Sequence, residues 1–284
     1  MDQAESLRRL VSQRKAIKKS RVVTISGGKG GIGKTCISVN LSLALKKLGY
    51  NVTIIDADLG FSNVEIEMGV TSRYTLFDVL YNNKMITEVI SEGPLGVKYI
   101  SSGGDFASVG EGVDLSLFLS NIKILDYYSD FIIIDTGAGL NKVVNQFLKA
   151  ADEVILIVTP EPTSIMDAYT LIKHSLVEEK KKINIIINKA KNFEEYRKIY
   201  KRFEAVVNNY LGVELSDLGY LEIDEKMTEC IIEQTPIIIK YHNGKTAKRF
   251  LQIAAKLANE PPPEESKGLW GIFARLLNKD RGRM

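Results

Sequence analysis

The sequence contains a series of short, continuously apolar runs that are rich in β-branched residues and are separated by helical stretches. The runs are VVTIS (22–26), VTIID (52–56), VKYIS (97–101), FIIID (131–135), EVILIV (153–158), INIIIN (183–188) and a weaker LGYLEI (218–223). Continuous rather than alternating apolar character is typical of a parallel sheet that is covered by helices on both faces. The sequence therefore predicts a doubly wound α/β fold, with ligands beyond the carboxyl ends of the strands.

The composition is typical of a soluble protein and argues against several classes. The 284 residues are 45% apolar and 26% charged. No apolar run approaches the ~18 to 20 residues that span a bilayer, and charges in MDQAESLRRL occupy the place of a signal peptide's apolar region, so we expect a cytoplasmic protein. Cys36 and Cys230 are far apart and indicate neither a disulfide framework nor a zinc site. A net charge of +3 is too small to indicate nucleic-acid binding by itself.

A glycine-rich segment, SGGKGGIGKT (26–35), follows the first run and opens a helical pattern that extends to about Leu48. Its Gly28-x4-Gly33-Lys34-Thr35 spacing is that of a phosphate-binding loop. In such a loop, backbone N–H groups face the phosphates, the lysine neutralises their charge and the hydroxyl binds Mg²⁺. The segment predicts a nucleotide and Mg²⁺ bound by Gly28, Gly30, Gly31, Ile32, Gly33, Lys34 and Thr35.

Carboxylates end two of the predicted strands. Asp135 ends FIIID and is expected to hold the water ligands of Mg²⁺, whereas Asp56 and Asp58 close the second strand in DADLGFSN (56–63). A carboxylate at the end of a strand can instead cap a helix or form a turn, and this alternative is strongest for Asp56.

The identity of the base is predicted from INKAKN (187–192). Guanine-specific loops use an NKxD segment whose Asp accepts two hydrogen bonds, but Lys191 stands in that place here. Since lysine has only donors, adenine is favoured, and the nucleotide is expected to be ATP or ADP. Asn188 is a candidate to present its amide to the base edge, or else it simply ends the strand.

Taken together, these motifs resemble the MinD/ParA family of ATPases, whose loop reads KGGxGK[ST]. The resemblance covers about residues 21–259 and includes KGGIGKT (29–35), DADLGFSN (56–63), IIDTGAGL (133–140) and PEPTSIMDAY (160–169). It implies an ATPase that forms a homodimer around two ATP molecules. It also implies that Lys29 of each subunit reaches the phosphates bound by the other, as an arginine finger does.

The same resemblance implies further roles. Asp58 would orient the attacking water, and Asp56 would help to hold the magnesium shell. Asp167 would support the dimeric arrangement, and Glu161 would lie near the ribose or the partner's nucleotide, although both residues also fit ordinary structural roles. Two residues depart from the family pattern. Cys36, a candidate phosphate contact, replaces the second hydroxyl residue usual after the loop threonine, and Glu222 stands where proline is common in the base loop.

The carboxyl-terminal part of the sequence predicts membrane targeting. Residues 260–267 contain PPPEES, a stiff linker, and residues 268–284 follow it. At ~100° per residue, six apolar side chains of this segment fall within an arc of about 160°, which is typical of an interfacial helix. Two copies on an ATP-bound dimer would bind a lipid surface better than one, so nucleotide would control reversible binding to the inner face of the cell membrane. The alternative is that the helix docks on its own domain or on a partner; the six residues are Leu269, Trp270, Ile272, Phe273, Leu276 and Leu277.

Residues 1–20 predict a basic helical segment. Its start, DQAESLR (2–8), resembles the DQAxxLR motif of the FlhG group, MinD-like regulators of flagellar number and position. That resemblance implies that the segment stimulates the signal-recognition-type GTPase FlhF, and that flagellar C-ring switch proteins are further partners. A solvated basic helix is the alternative; the residues implicated in stimulation are Asp2, Gln3, Leu7 and Arg8.

Two other functions remain open. A ParA-like DNA-segregation ATPase would use basic stretches such as YRKIYKR (196–202), although such a stretch is more often a solvated helix face. The cell-division protein MinD would share the amphipathic segment but not the DQAESLR start. An iron–sulfur role is not favoured, because neither cysteine follows the Asp135 strand.

Overall fold

The computed structural model describes residues 19–59, 61–103, 115 and 122–261. Residues 1–18 and 262–284 are outside these ranges, and they include most of the predicted amino-terminal segment, most of the linker and the whole amphipathic segment. The boundaries predicted at 1–20, 21–259, 260–267 and 268–284 therefore stay predictions. So do the roles assigned to Asp2, Gln3, Leu7, Arg8, Leu269, Trp270, Ile272, Phe273, Leu276 and Leu277.

Eight strands form one sheet, in the order β3-β4-β2-β5-β1-β6-β7-β8. Neighbouring strands are parallel except for β3 and β4, which are antiparallel. The strands are β1 (Arg21–Ser26), β2 (Val52–Ala57), β3 (Ser91–Glu92), β4 (Lys98–Ile100), β5 (Phe131–Thr136), β6 (Glu153–Val158), β7 (Lys182–Ala190) and β8 (Leu215–Glu222).

Helices lie between these strands or follow β8 within the described ranges. They are α1 (Lys34–Lys47), α2 (Asn63–Met68), α3 (Leu76–Tyr81), α4 (Lys142–Ala150), α5 (Pro162–Ser175), α6 (Phe193–Leu211), α7 (Glu225–Ile232), α8 (Ile237–Lys240) and α9 (Lys245–Ala258). Short 3₁₀ turns occur at Ile86–Glu88, Pro94–Gly96 and Ile122–Tyr127. In the described part of the chain, no helix combines the length and apolar character that crossing a membrane requires.

The predicted doubly wound α/β fold is confirmed, and each of the seven apolar runs forms a strand. The sequence missed β3, which has only two residues and pairs with β4 at one edge. A strand this short carries no periodic pattern, so its position depends on the pairing alone.

The apolar core has one cluster on each face of the sheet. Helices α4, α5 and α6 bury side chains such as Phe147, Leu171 and Phe203 against one face. Helices α1 and α9 bury side chains such as Leu41 and Phe250 against the other. Coverage of both faces explains why the strand sequences are apolar throughout rather than alternating.

The order of the strands brings the predicted site residues to one edge. β1 lies between β5 and β6, so the chain leaves the centre of the sheet in opposite directions at this point. Asp135 in β5 is paired in register with Ile25 of β1 and with Asp56 of β2. The segment after β1 therefore begins beside two carboxylates, at the reversal point where doubly wound sheets bind ligands.

Candidate functional site

The phosphate loop joins β1 to α1 through glycines that cannot be replaced freely. Gly31 and Gly33 have φ of 72° and 91°, in the left-handed region that favours glycine. A Cβ on Gly28 would lie 2.0 Å from the Cβ of Asp167, and one on Gly33 would lie 2.5 Å from Nδ2 of Asn188. The loop backbone therefore packs directly against α5 and β7, with no space for side chains at Gly28 and Gly33.

Helix α1 begins without a side-chain cap. Asn141, Asn192 and Asp224 cap the starts of α4, α6 and α7, respectively, with a side-chain oxygen. Gly33 at the start of α1 has no side chain to do so, and the first turn of α1 contains no acidic residue. The N–H groups at this end remain suited to an anion, which the helix dipole also favours.

Lys34 lies among carboxylates at the base of the loop. It is buried, and burial lowers the pKa of its ammonium group, whereas the charges of Asp135 and Asp58 act in the opposite direction. Its Nζ lies 3.3 Å from the carbonyl oxygen of Lys29. The structure thus places a cation where the loop would hold a nucleotide's phosphates.

Asp135 is the last residue but one of β5 and lies inside the molecule. It is fully buried, and burial raises the pKa of its carboxyl to about 6, although the Thr35 and Ser38 hydroxyls and Lys34 favour the charged form. Ser38 donates a hydrogen bond of 2.7 Å to Oδ1. Among the described residues, Oδ2 has no hydrogen-bond partner. An open carboxylate oxygen close to a threonine hydroxyl fits a hydrated divalent cation.

The kind of cation can be narrowed. The described ranges contain no group of three His, Cys, Asp or Glu side chains that could hold a metal directly. Thr35 and Asp135 therefore fit an ion that keeps several of its own waters, as Mg²⁺ does.

Asp56 has both oxygens engaged by the backbone. Its Oδ1 accepts the N–H of Asp58 and its Oδ2 accepts the N–H of Val64, each at 3.1 Å. Burial and the charge of Asp135 hold its carboxyl pKa well above the usual range. These contacts correspond to the turn-forming alternative, and the proposed part of Asp56 in the magnesium shell stays a prediction.

Asp58 is half-buried and faces Lys34. Its Oδ2 accepts a hydrogen bond of 2.9 Å from Asn63, and a Cβ on Gly137 would lie 2.6 Å from its Oδ1. Burial raises its carboxyl pKa, whereas Lys34 and Asn63 lower it. Asp58 is thus a partly accessible carboxylate, fixed on one side, that can accept a hydrogen bond from a water.

Lys29 is paired within its own chain. Its Nζ lies 2.7 Å from Oε2 of Glu161, the residue before α5. The side chains are 47% and 56% exposed, and Glu161 raises the pKa of Lys29, with a smaller contribution from Asp167. Since an ion pair this exposed is weak, Lys29 can exchange Glu161 for another anion at little cost.

Asn188 contacts the phosphate loop rather than standing free for a base. Its Nδ2 donates to the carbonyl of Ile32 at 2.7 Å, and its Oδ1 accepts the N–H of Lys189. Its contact with a base edge stays a prediction. The next residue, Lys189, donates from Nζ to the carbonyl of Gly31 at 2.9 Å, a contact that no motif in the sequence indicates.

Ser38 and Asn63 were also missed. A signal existed for Ser38, which lies four residues after Lys34 and so on the same face of α1. Asn63 belongs to the DADLGFSN segment, but its bond to Asp58 depends on the turn that Asp56 holds.

Cys36 and Glu222, the two residues that depart from the family pattern, lie in different parts of the fold, at the start of α1 and at the end of β8. Cys36 is buried, and burial, followed by Glu67, holds its thiol pKa well above the usual range. Glu222 accepts a hydrogen bond of 3.2 Å from the Tyr220 hydroxyl and pairs with Lys245. It lines a cavity of about 130 Å³ between the end of β8 and α9, where the base loop was predicted.

A larger groove, of about 1030 Å³, lies between α5 and α6. Its lining is mainly apolar and includes none of the residues predicted to bind phosphates or Mg²⁺. We place the candidate site at the loop, because the convergent charges and hydrogen bonds are there.

Comparison with known proteins agrees with this site. Residues 20–189 match a family model described as an AAA domain. The chain is 33% identical to the antiactivator FleN of Pseudomonas aeruginosa, over 90% of this chain and 93% of that protein. It is 31% identical to the flagellum site-determining protein YlxH of Helicobacter pylori, over 91% and 90%.

A solved structure shows the same likeness. The septum site-determining protein MinD of Pyrococcus horikoshii, complexed with Mg-ADP, superposes with a TM-score of 0.72 at 27% identity. The superposition covers 84% of this chain and 96% of that one. The chain therefore belongs to the MinD/ParA family of P-loop ATPases and, within it, to the FlhG-like group that includes FleN and YlxH.

Proposed function

We propose that this protein is an ATP-hydrolysing dimerisation switch that regulates the number or placement of flagella. The names of two relatives, an antiactivator called FleN and a flagellum site-determining protein called YlxH, support the cellular role. One observation supports the switch in particular. Lys29 forms an exposed ion pair with Glu161, and it is not needed to neutralise phosphates within its own loop, because Lys34 is buried there.

The proposed chemistry is the hydrolysis of ATP to ADP and phosphate. The loop N–H groups and Lys34 bind the phosphates, and Thr35 and Asp135 hold Mg²⁺, the latter through water. The bound cation neutralises charge that develops on the phosphates. Asp58 accepts a hydrogen bond from the attacking water and orients it.

Dimerisation would follow from the exchange of one anion for another. In the single chain Lys29 contacts Glu161, and in the dimer it would contact the phosphates bound by the partner subunit. Glu161 would then lie near the ribose or the partner's nucleotide, and Asp167, which lies against Gly28 of the loop, would support the dimeric arrangement.

The dimer would bring two amphipathic segments to one lipid surface. One copy binds a membrane weakly, whereas two bind far better through effective concentration. ATP would thus direct the protein from the cytoplasm to the inner face of the cell membrane.

Light scattering and liposome sedimentation test the switch. With ADP we expect a monomer in the supernatant, and with ATP and the slowed variant Asp58→Ala we expect a dimer on the liposomes. Removal of residues 268–284 should abolish sedimentation and leave the dimer intact. A monomer in every nucleotide state would contradict the proposal.

The flagellar partners are proposed from the amino-terminal segment. Residues 1–20 would stimulate the GTPase FlhF, and the ATPase domain would meet C-ring switch proteins. A peptide of residues 1–20 should accelerate GTP hydrolysis by FlhF, and a peptide carrying Gln3→Ala should not. Equal rates with both peptides would contradict this part.

DNA segregation is the second candidate, because four cations of the YRKIYKR stretch are exposed on α6. Its two tyrosines, however, are buried and cannot stack on bases. Retention on DNA that falls with salt and survives removal of residues 268–284 would favour this function instead.

Septum placement, the function of MinD, is distinguished by the phenotype of a deletion strain. Misplaced or miscounted flagella with normal septa agree with the proposal. Misplaced septa with normal flagella would contradict it.

A further inference from the structure

Strand β7 carries a bulge where it passes the phosphate loop. Ile187 pairs with Tyr220 of β8 and Ala190 pairs with Glu222, so three steps along β7 match two along β8. The extra length falls at Asn188 and Lys189, and Lys189 has a left-handed φ of 58°. A bulge re-aims side chains, and a left-handed backbone is uncommon for lysine, so this local geometry needs support from its surroundings.

Both bulged side chains bond to the phosphate loop. The Lys189 ammonium donates to the carbonyl of Gly31 at 2.9 Å, and the Asn188 amide donates to the carbonyl of Ile32 at 2.7 Å. Two consecutive carbonyls of the loop are thereby turned towards β7.

The direction of these carbonyls fixes the direction of two donors. In a trans peptide unit the C=O and N–H groups point in opposite directions. The unit with the Gly31 carbonyl carries the N–H of Ile32, and the unit with the Ile32 carbonyl carries the N–H of Gly33. Both N–H groups are therefore turned away from β7, as an anion-binding loop requires.

We propose that Lys189 is a positioning residue for nucleotide binding, which holds the Gly31 carbonyl so that the N–H of Ile32 is presented to the phosphates. The inference rests on the proposed function, because it assigns a role in the same nucleotide site. Lys189 acts through the loop backbone and is distinct from Lys29 and Lys34, which are assigned to the phosphates themselves.

The test replaces Lys189 without disturbing its backbone. Asparagine tolerates the left-handed conformation, so Lys189→Asn replaces the long ammonium side chain with a short neutral one without straining the backbone, and Lys189→Arg restores charged donors. Lys180→Asn is the matched control, because Lys180 is also exposed, has a left-handed φ of 48° and lies just before the other end of β7.

The measurements are the Kd for Mg·ADP by calorimetry, kcat at saturating ATP and the unfolding midpoint without nucleotide, all on the full chain. For Lys189→Asn we expect the Kd to rise about tenfold, while kcat stays within about twofold and the midpoint is unchanged. Lys189→Arg should recover most of the affinity, and Lys180→Asn should match the wild type. If Lys189 only stabilised the fold, Lys189→Asn would lower the unfolding midpoint and would change Kd and kcat together.

The effect of Lys189 on the loop also has to be separated from its effect on Glu161, since Lys29 and, to a smaller extent, the charge of Lys189 lower the pKa of that carboxyl. In a Glu161→Gln background, Lys189→Asn should still raise the Kd about tenfold. Disappearance of the effect in that background would overturn the assignment to the loop.

Two other outcomes would overturn the inference. They are a wild-type Kd for Lys189→Asn, or a loss of kcat with no loss of affinity. A tenfold loss of affinity in a protein that stays monomeric with ATP would support the role of Lys189 and contradict the proposed switch. Failure of the wild type to bind ADP and ATP would contradict both.

Discussion

Gly28 has no room for a side chain, because a Cβ at this position would lie 2.0 Å from the Cβ of Asp167. A Cβ on Gly30, in the same loop, would meet nothing within 4 Å. We therefore expect Gly28→Ala to lower the free energy of unfolding by about 1 to 3 kcal/mol, as overpacking does, and Gly30→Ala to change it little. Chemical denaturation of the nucleotide-free protein measures both. Equal losses would show that α5 does not pack against the loop as described.

Glu67 gives a pH dependence that can be assigned to one residue. It is buried on α2, burial raises its carboxyl pKa above 4.5, and a hydrogen bond from the Cys36 thiol opposes the shift. Since the folded-state pKa is the higher one, its contribution to stability is fully present below the unfolded pKa and is lost as pH rises through the folded pKa.

We therefore expect Glu67→Gln to raise the unfolding midpoint at pH 8, by about 2 to 4 °C for a gain of ~1 kcal/mol, and to have little effect at pH 4. Thermal scans of the two proteins at both pH values measure the difference. The reverse order of the two effects would contradict the burial argument.

At the scale of elements, Ser38 connects α1 to β5. Its hydroxyl lies 2.7 Å from Oδ1 of Asp135, whereas the Ser42 hydroxyl, one turn later, bonds only to a carbonyl of its own helix among the described contacts. We expect Ser38→Ala to destabilise the protein by about 1 to 3 kcal/mol, and more than Ser42→Ala does, because a buried carboxylate loses a donor. Denaturation of both variants at pH 8 measures this, and equal effects would mean that the bond to Asp135 contributes nothing.

The sequence predicted the elements that have strong local signals. Apolar runs located seven strands, and the helical pattern after the loop located the end of α1 to within one residue. The contacts that shape the site depend on register and on bulges instead. The two carboxylates Asp56 and Asp135 are partners only because β2 pairs with β5, and the bonds from Asn188 and Lys189 exist only because β7 bulges beside the loop. No local pattern encodes either fact.

In the whole molecule, charged residues at or just after the carboxyl ends of five strands, β1, β2, β5, β6 and β7, meet at one edge of the sheet. Lys29 and Lys189 are exposed cations at this edge, and Lys29 is paired with the carboxylate of Glu161 by a contact that is open to solvent. The sequence could supply its role only through resemblance to a family, because the function of Lys29 would be expressed between two copies of the chain.

The most direct measurement is the mass, by light scattering with ATP, of Asp58→Ala and of the double variant Lys29→Ala/Asp58→Ala, with ATP affinity measured for each. We expect both variants to bind ATP, Asp58→Ala to form a dimer and the double variant to stay a monomer. A dimer that forms equally well without the Lys29 amine would contradict the proposed contact of Lys29 with the partner's phosphates.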